Sequence, residues 1–357
     1  MWVFEMKEEL VQKIVEVLNR DGVVACPTET VFGLLARASS EKAVNRIFEI
    51  KKRDRLKTLP CFVKDITMAL DLMKRVPEYA VRLMEKYWPG PLTIVGFASD
   101  KAPSSCVSKE GKIGIRIPDF PVINEVLTLV NEPLASTSAN FSGEPPFASS
   151  EEVKERFGNM VDLIVEGKAG NIPSTVVDVT GERPLITRYG VLKFSEIEAT
   201  AGVEVQFRER ERLTVLLLCT GNTCRSPMAE AIFKKEFEDF KNIQFISRGT
   251  IQVADKDINP LTKQVLEEMG INDFRHIPQK VDDAELEMAD IILVMEKKHM
   301  EAIKEKYRDR VRLFGGDHEE IEDPLGSGIN TYRFVRDKIR YFIKGFWRPY
   351  FEWKFEK

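Results

Sequence analysis

The sequence is poor in histidine and cysteine, and it lacks any apolar run long enough to cross a membrane. The 3 histidines and 5 cysteines match neither a metal site nor a disulfide framework in their spacing. Such cysteine usage is typical of a reducing compartment. The opening stretch MWVFEMKEELVQK carries charges too early for a secretory signal. We therefore expect a cytoplasmic protein with no membrane partner and no metal bound by its own side chains.

Neither sign of charge is in large excess. The chain has 53 Lys and Arg against 57 Asp and Glu, for a net charge of −4. This balance excludes a globally basic nucleic-acid-binding protein, so any RNA contact requires a local basic patch. The 357 residues exceed the usual size of a single hydrophobic core. We therefore predict two domains.

The stretch from Leu213 to Phe233 predicts a strand, a loop and a helix in that order. The apolar run Val215–Leu218 is typical of a strand buried on both faces of a parallel sheet. Ser226 and Pro227 then open a helical pattern, since proline is tolerated in a first helical turn. A short loop before a helix points backbone N–H groups at a phosphate-sized anion, so this stretch predicts a phosphate site.

Two reactive residues bracket that loop. Arg225 can hold two phosphate oxygens, and the same positive surroundings favour the thiolate form of Cys219. A thiolate that faces a phosphoryl group is a nucleophile, and attack would give a phosphocysteine intermediate. The leaving group then needs an acid, for which Asp323 is the best candidate because Pro324 stiffens its loop. The pattern predicts a cysteine-dependent phosphatase that needs no cofactor.

The segments CTGNTCRSPMAEA and EDPLG resemble the low-molecular-weight protein-tyrosine phosphatase family over residues 213–357. The resemblance implies Cys219 as nucleophile, Arg225 as phosphate ligand and Asp323 as general acid. It also implies a phosphorylated protein as substrate and a four-stranded parallel sheet in a three-layer α/β/α domain. The other members of the implied phosphate loop are Thr220, Gly221, Asn222, Thr223, Cys224 and Ser226, with Asn222 shaping the loop and Ser226 bonding the thiolate.

Two loop residues leave alternatives open. Thr223 stands where the tyrosine phosphatases commonly have an aliphatic residue and the protein-arginine phosphatase branch has threonine, so the resemblance favours phosphoarginine over phosphotyrosine. Cys224 could form a reversible disulfide with Cys219 that protects the nucleophile from over-oxidation. It could equally be a small packed residue.

The first half of the chain carries a series of polar or Gly/Pro insertions at the ends of strand-like runs, where α/β proteins place ligand contacts. In order they read PTETVFGLLA, KKRDRLK, YWPGPLTIV, GIRIPD, PLASTSANFSG, PSTVVDVT and ITRYG. Together they resemble the YrdC-like threonylcarbamoyl-AMP synthase family over about residues 7–195. The resemblance implies a twisted mixed sheet and a reaction of L-threonine, bicarbonate and ATP that releases pyrophosphate. Its product serves threonylcarbamoyladenosine modification of tRNA, which implies the tRNA-modification machinery as partner.

An adenylating site must hold a triphosphate and a carboxylate together, and cationic and hydroxyl side chains at several strand ends suit that task. Catalysis would rest on positioning and charge stabilisation, with Mg²⁺ expected to accompany ATP. The residues that the resemblance implies for threonine and ATP binding are Thr30, Lys51, Arg53, Lys57, Arg116, Ser136, Ser138, Asn140, Ser174 and Arg188.

This half departs from the family pattern at several positions. Asp54 replaces a proline and Lys57 stands where asparagine is common, while Phe62 and Pro146 fall where a histidine and a serine are often found. A substrate group left unpaired by such a change costs about 1–3 kcal/mol. The alternative is therefore a phosphatase whose first domain only binds nucleotide or RNA, including tRNA or double-stranded RNA. A third hypothesis is that one domain regulates the other.

We predict an α/β protein with a synthase-like domain at 1–194, a linker at 195–212 and a phosphatase domain at 213–357. His276, His299 and His318 lie on polar segments and are expected at the surface. The C-terminal segment begins as an amphipathic helix with Phe334, Ile339, Phe342 and Ile343 on one apolar face, and its later aromatic residues are expected to pack on a domain. A partner-binding or membrane-surface tail is the alternative.

Overall fold

A computed structural model describes residues 2–54, 58–208, 212–316 and 319–356, with side chains described within 7–355 of those ranges. It divides into two compact units, Met1–Lys193 with Thr200–Val205, and Phe194–Ala199 with Gln206–Lys357. None of the helices in the described ranges combines the length and apolar character needed to cross a lipid bilayer.

The first unit is built on a mixed sheet, as predicted. Its strand order is β10-β9-β5-β6-β3-β7-β2-β1-β8, with β4 beside β5. Neighbours β5 and β9 run parallel, as do β3 and β6, whereas β5 and β6 and also β2 and β7 run antiparallel. The strands are β1 (Val24–Cys26), β2 (Gly33–Arg37), β3 (Cys61–Phe62), β4 (Met73–Lys74), β5 (Leu92–Ala98), β6 (Lys112–Arg116), β7 (Leu134–Ser138), β8 (Leu163–Ile164), β9 (Thr175–Asp178) and β10 (Leu185–Arg188).

Helices of the first unit pack on this sheet, and the second of them ends where the basic segment beginning at Lys51 starts. Ile14 and Leu18 of the first helix pack with Leu127 of the fifth in one buried cluster. The Ser40 side chain caps the second helix by accepting from the Ala43 N–H, and the helix ends at Lys51. The helices are α1 (Trp2–Asn19), α2 (Glu41–Lys51), α3 (Ile66–Asp71), α4 (Glu78–Tyr87), α5 (Pro121–Val130) and α6 (Ser150–Phe157).

The second unit contains the predicted four-stranded parallel sheet. Its order is β13-β12-β14-β15, and all neighbours are parallel. Strand β12 is central and has a parallel neighbour on each side. Its carboxyl end therefore lies where open α/β sheets bind their ligands. The strands are β12 (Leu213–Cys219), β13 (Ile243–Gly249), β14 (Ile291–Val294) and β15 (Val311–Leu313). Two further strands, β11 (Gln206–Arg208) and β16 (Phe355–Glu356), pair in parallel outside this four-stranded sheet.

The segment predicted as a linker contains most of a helix, α7 (Phe194–Ala201). Its alternating charges hide the apolar positions Phe194, Ile197 and Ala201, which are buried. The remaining helices are α7 (Phe194–Ala201), α8 (Arg225–Glu236), α9 (Pro260–Glu267), α10 (Asp283–Met288), α11 (Lys297–Glu301), α12 (Ile329–Phe342) and α13 (Arg348–Lys354), with a π-helical turn at Ile343–Trp347 between the last two.

The C-terminal aromatic segment packs onto the second unit. Trp347 donates its indole N–H to the Phe314 carbonyl over 2.9 Å, and the Phe351 ring meets the edge of Phe237. The inclusion of Phe334 in the buried helix face was wrong, because Phe334 is 58% exposed whereas Ile339 is buried.

We predict that Phe351→Ala lowers the free energy of unfolding of the second unit by about 3–5 kcal/mol, because it empties a fully buried ring position. Hydrogen exchange of second-unit peptides in the full chain, followed across urea concentrations, measures this loss. The matched control Phe334→Ala removes an exposed ring and is expected to cost at most about 0.5 kcal/mol. Equal losses in the two variants would contradict the packing.

Candidate active sites

The loop between β12 and α8 is shaped by Asn222. This residue is fully buried and has φ of 56°, a left-handed conformation that asparagine tolerates better than most residues. Its Oδ1 accepts from the Gln279 N–H over 3.0 Å, and its Nδ2 donates to the Ser226 and Ser247 hydroxyls at 3.0 Å each. The asparagine side chain therefore ties the loop to the helix start and to β13.

Cys219 lies at the end of β12 and faces the start of α8. Its Sγ is 3.0 Å from the Ser226 Oγ, and the side chain is almost fully buried. A neighbouring hydroxyl and the positive end of a helix are common features of nucleophilic-cysteine sites. The geometry therefore suits a nucleophilic sulfur.

Arg225 forms the floor of the site and is 1% exposed. Its Nη1 pairs with Glu296 and donates to the Ile321 carbonyl over 3.0 Å. Its Nη2 pairs with Asp323 and lies 3.4 Å from the Thr220 Oγ1. The Nε is buried and has no hydrogen-bond partner among the described residues. A buried unpaired N–H is costly, so this donor points to an anionic ligand.

Arg225 and Cys219 share a pocket of about 220 Å³ with Asp323. Asp323 sits at the mouth, where its side chain is 35% exposed and its Oδ1 accepts from the Leu325 N–H over 3.2 Å. The structure thus brings the three predicted phosphatase residues together. The other residues lining the pocket are Thr220, Gly221, Thr223, Cys224, Ile251, Val253, Asp255, Asp257, Ile258, Asn259, Pro260 and Leu325.

Thr223 and Cys224 are the two loop residues that precede Arg225. Cys224 Sγ lies 3.6 Å from Thr223 Oγ1 and 3.5 Å from the Tyr332 hydroxyl, and burial raises the pKa of the Cys224 thiol. Both Cys219 and Cys224 are free thiols here.

The expected surface position of His299 was wrong. His299 is 1% exposed, its Nε2 lies 2.9 Å from the Thr220 Oγ1, and its Nδ1 accepts from the Glu296 N–H over 3.1 Å. Burial, and next the charge of Arg225, lower the pKa of His299 to about 4. Glu296 and His299 together form a capping box at the start of α11.

His276 is half-buried rather than fully exposed. Its side chain is 7% exposed, it stacks on Phe274, and its Nε2 bonds the Asn222 Oδ1 over 2.8 Å. Burial lowers the pKa of His276, although the nearby Glu230 carboxylate opposes this shift. Polar neighbours in the sequence did not reveal this packing. His318 lies outside the described residues.

In the first unit, Arg116 is the centre of a buried polar group at the end of β6. Its Nε donates to the Gly90 carbonyl and its Nη1 to the Thr30 hydroxyl, each over 2.9 Å, and its Nη2 pairs with Glu29. The guanidinium also lies 5.6 Å from the centre of the Phe62 ring. Burial lowers the pKa of Arg116. Glu29 was missing from the predicted site residues, although it lies in the PTET motif.

Lys51 is also buried, and it holds the STSAN loop. Its Nζ donates to the Ser138 carbonyl and to the Asn140 carbonyl and Oδ1, the last two at 2.9 and 2.6 Å. Ser138 adds a hydroxyl bond to the same Oδ1 over 2.7 Å. Burial, helped by the charge of Arg53, lowers the pKa of Lys51 to about 7. Lys51 therefore braces the loop rather than standing free.

A third group joins Arg188 to Ser174. Arg188 Nη2 donates to the Ser174 Oγ over 2.9 Å, and the same hydroxyl lies 2.9 Å from the Thr93 Oγ1. Backbone hydrogen bonds join residues next to these groups. The Ala139 N–H, in the STSAN loop, donates to the Phe32 carbonyl, and the Thr175 N–H, next to Ser174, donates to the Pro91 carbonyl, next to Gly90.

The other predicted residues of this half occupy nearby elements. Ser136 is buried on β7 opposite Leu35 of β2. Arg53 donates from its Nη2 to the Thr58 carbonyl over 3.1 Å, and burial lowers its pKa. Lys57 lies outside the described residues.

Across residues 2–54, 58–208, 212–316 and 319–356, no cluster of three or more His, Cys, Asp or Glu side chains is placed to hold a metal ion. Mg²⁺ typically keeps several waters and binds substrate phosphates with few protein ligands. These residues are therefore compatible with a magnesium ion carried by ATP itself.

Two family models match the chain. The Sua5_yciO_yrdC model, described as telomere recombination, matches residues 16–190, and the low molecular weight phosphotyrosine protein phosphatase model matches residues 214–349. The threonylcarbamoyl-AMP synthase of Pyrococcus abyssi is 36% identical over 203 residues, which cover 56% of this chain and 60% of that protein. The putative threonylcarbamoyl-AMP synthase of Methanocaldococcus jannaschii is 33% identical over 201 residues, covering 55% of this chain and 94% of that one.

A solved structure of a P. abyssi Sua5 variant covers 92% of this chain and 93% of its own at 24% identity, with a TM-score of 0.54, which shows similarity of fold. The match to the P. abyssi synthase spans about three fifths of that relative's length. The chain belongs to the Sua5/YciO/YrdC family through its first unit, and its second unit is a low-molecular-weight phosphotyrosine protein phosphatase domain.

Proposed function

We propose that the chain is a bifunctional enzyme. The first unit makes threonylcarbamoyl-AMP from L-threonine, bicarbonate and ATP for tRNA modification, and the second removes phosphoryl groups from proteins through a cysteine thiolate. The observation that carries the phosphatase is Arg225, which lines the pocket with Cys219 and whose buried Nε has no hydrogen-bond partner among the described residues. Cytoplasmic location stays a prediction.

The phosphatase reaction follows from the placement of three side chains. The Cys219 thiolate attacks phosphorus, so an S–P bond forms while the bond to the leaving group breaks. Asp323 at the pocket mouth gives its proton to that leaving group. Water then attacks the phosphocysteine, Asp323 takes a proton from it, and Cys219 leaves as the thiolate. Arg225 and the N–H groups of the loop stabilise the charge on the phosphoryl oxygens throughout.

The pocket favours phosphoarginine through its distribution of charge. Arg225 makes the floor positive, whereas Asp255 and Asp257 are exposed carboxylates in the lining. Among the described residues, the lining contains no aromatic side chain on which a phosphotyrosine ring could stack, and Ile251 and Leu325 are aliphatic. A ligand with a phosphoryl group at one end and a guanidinium next to it matches both charges.

We predict that Cys219→Ser abolishes turnover while inorganic phosphate still binds, because the loop donors and Arg225 remain. Isothermal calorimetry with phosphate and a steady-state assay with an aryl phosphate measure the two properties. Asp323→Ala should instead slow turnover of poor leaving groups about 10²- to 10⁴-fold. Turnover by Cys219→Ser at the wild-type rate would disprove the nucleophile.

A second prediction concerns substrate choice. Replacing Asp255 and Asp257 by asparagine is expected to lower kcat/KM for phosphoarginine peptides roughly tenfold, as loss of about 1.4 kcal/mol of charge attraction would. The kcat/KM for phosphotyrosine peptides should stay level or rise. The double variant Asp273→Asn/Asp309→Asn, at two exposed aspartates outside the pocket lining, controls for the change in net charge. A parallel loss for both peptide classes would speak against the argument.

The synthase assignment is supported by the buried Arg116 group. A guanidinium held between Thr30 and Glu29 can receive the carboxylate of an amino acid in place of one of these partners. Thr30 and Ser174 supply hydroxyls, while Lys51 fixes the STSAN loop. These residues bind and orient the substrates so that the threonine carbamate can attack the α-phosphorus of ATP, forming an O–P bond as pyrophosphate leaves.

One structural observation supports the alternative, in which the first unit only binds nucleotide or RNA. Phe62 packs against Arg116 and offers a ring face where an imidazole would offer a hydrogen bond. Turnover separates the two functions.

We predict that the full chain releases pyrophosphate from ATP only when both L-threonine and bicarbonate are present. Arg116→Lys keeps a charge beside Glu29 but loses the two-pronged guanidinium, so KM for threonine should rise at least about tenfold with little change in KM for ATP. Lys112→Arg, on the same strand, is the matched control. Retained ATP or tRNA binding without pyrophosphate release would favour the binding-module alternative.

A further inference from the structure

The hydroxyl of Thr220 is placed between two donors in the phosphate loop. Arg225 Nη2 approaches the Thr220 Oγ1 at 3.4 Å, and His299 Nε2 approaches the same oxygen at 2.9 Å. Thr220 also lines the pocket that contains Cys219. The direction of the hydroxyl hydrogen therefore depends on which nitrogen of His299 carries its proton.

The surroundings of His299 fix that proton. Nδ1 accepts a hydrogen bond from the Glu296 N–H over 3.1 Å, so Nδ1 carries no hydrogen. Burial and the charge of Arg225 keep the pKa of His299 near 4, so the ring is neutral at pH 7. A neutral imidazole has one N–H, which must then be on Nε2. His299 accordingly donates to Thr220 and does not accept from it.

The Thr220 oxygen is thus an acceptor for two donors, and its own O–H is the hydrogen left to donate. We propose that His299 is a positioning residue that turns the Thr220 hydroxyl toward a phosphoryl oxygen in the pocket, making Thr220 a phosphate-binding residue. This inference rests on the proposed phosphatase function, because it assigns a further donor to the same site.

His299 supports the site through a second bond as well. The N–H that its Nδ1 accepts belongs to Glu296, whose carboxylate pairs with Arg225. One imidazole therefore braces two groups that face the phosphate, the Thr220 hydroxyl and the Arg225 guanidinium. The charged groups around the ring are Arg225, Glu296, Lys298 and Asp323.

The test measures inorganic phosphate as a competitive inhibitor and KM and kcat for an aryl phosphate, all with the full chain. Thr220→Val removes the hydroxyl and leaves the helix cap intact. His299→Leu removes both bonds of the imidazole. His299→Gln can keep both, because a glutamine at this capping-box position accepts from the cap N–H and still has an N–H to donate.

We expect Thr220→Val to weaken phosphate inhibition about tenfold, as loss of one hydrogen bond to a charged group would. KM should rise more than kcat falls, because the bond is present before and during reaction. The double variant Thr220→Val/His299→Leu should be no weaker than His299→Leu alone, since the two residues act through one bond. His299→Gln should recover most of the affinity that His299→Leu loses.

Multiplicative losses in the double variant, or wild-type inhibition in Thr220→Val, would overturn the inference. Nitrogen chemical shifts of His299 in the wild-type protein provide a readout that needs no variant to fold, and a proton on Nδ1 would also overturn it. If the wild-type chain itself binds no phosphate, the phosphatase proposal fails first. Phosphate binding that is insensitive to Thr220 would overturn the roles given to Thr220 and His299 and leave the phosphatase proposal standing.

Discussion

The phosphatase unit depends on keeping one buried guanidinium charged. Arg225 is 1% exposed and cannot be deprotonated, so the fold must supply carboxylates to it. Glu296 follows β14, the parallel neighbour of the central β12, and pairs with Arg225. Asp323 lies two residues after Ile321, whose N–H donates to the Met295 carbonyl just beyond β14, and it pairs with Arg225 as well. Removing a carboxylate partner of a buried guanidinium leaves part of its charge uncompensated, which destabilises the fold. The strand order therefore places both carboxylates beside the guanidinium.

The first unit contains two buried cationic side chains that have different kinds of partner. Arg116 is paired with the carboxylate of Glu29, which retains a charge suited to a substrate carboxylate. Lys51 instead faces carbonyl oxygens and the amide of Asn140, and burial brings its pKa to about 7. A lysine that is readily neutral and fully enclosed holds a loop in shape better than it attracts phosphate. We infer that Arg116 faces a ligand and that Lys51 supports the residues that do.

Local patterns predicted much of this architecture. The apolar run Val215–Leu218 and the Ser226–Pro227 helix start lie where expected, and both sheets have the predicted character. The positions of His299 and Glu29 could not be predicted in this way. Each depends on which strand ends meet in space, and neither the polarity of neighbouring residues nor helical spacing contains that information.

The two carboxylates on Arg225 also explain how binding and acid catalysis would be linked in the proposed mechanism. Before substrate arrives, Asp323 pairs with Nη2 while Nε has no partner among the described residues. A phosphoryl dianion that binds Nε and Nη2 takes the place of Asp323 on the guanidinium, whereas Glu296 on Nη1 can remain. Asp323 is thereby free to face the leaving group at the moment a proton is required there.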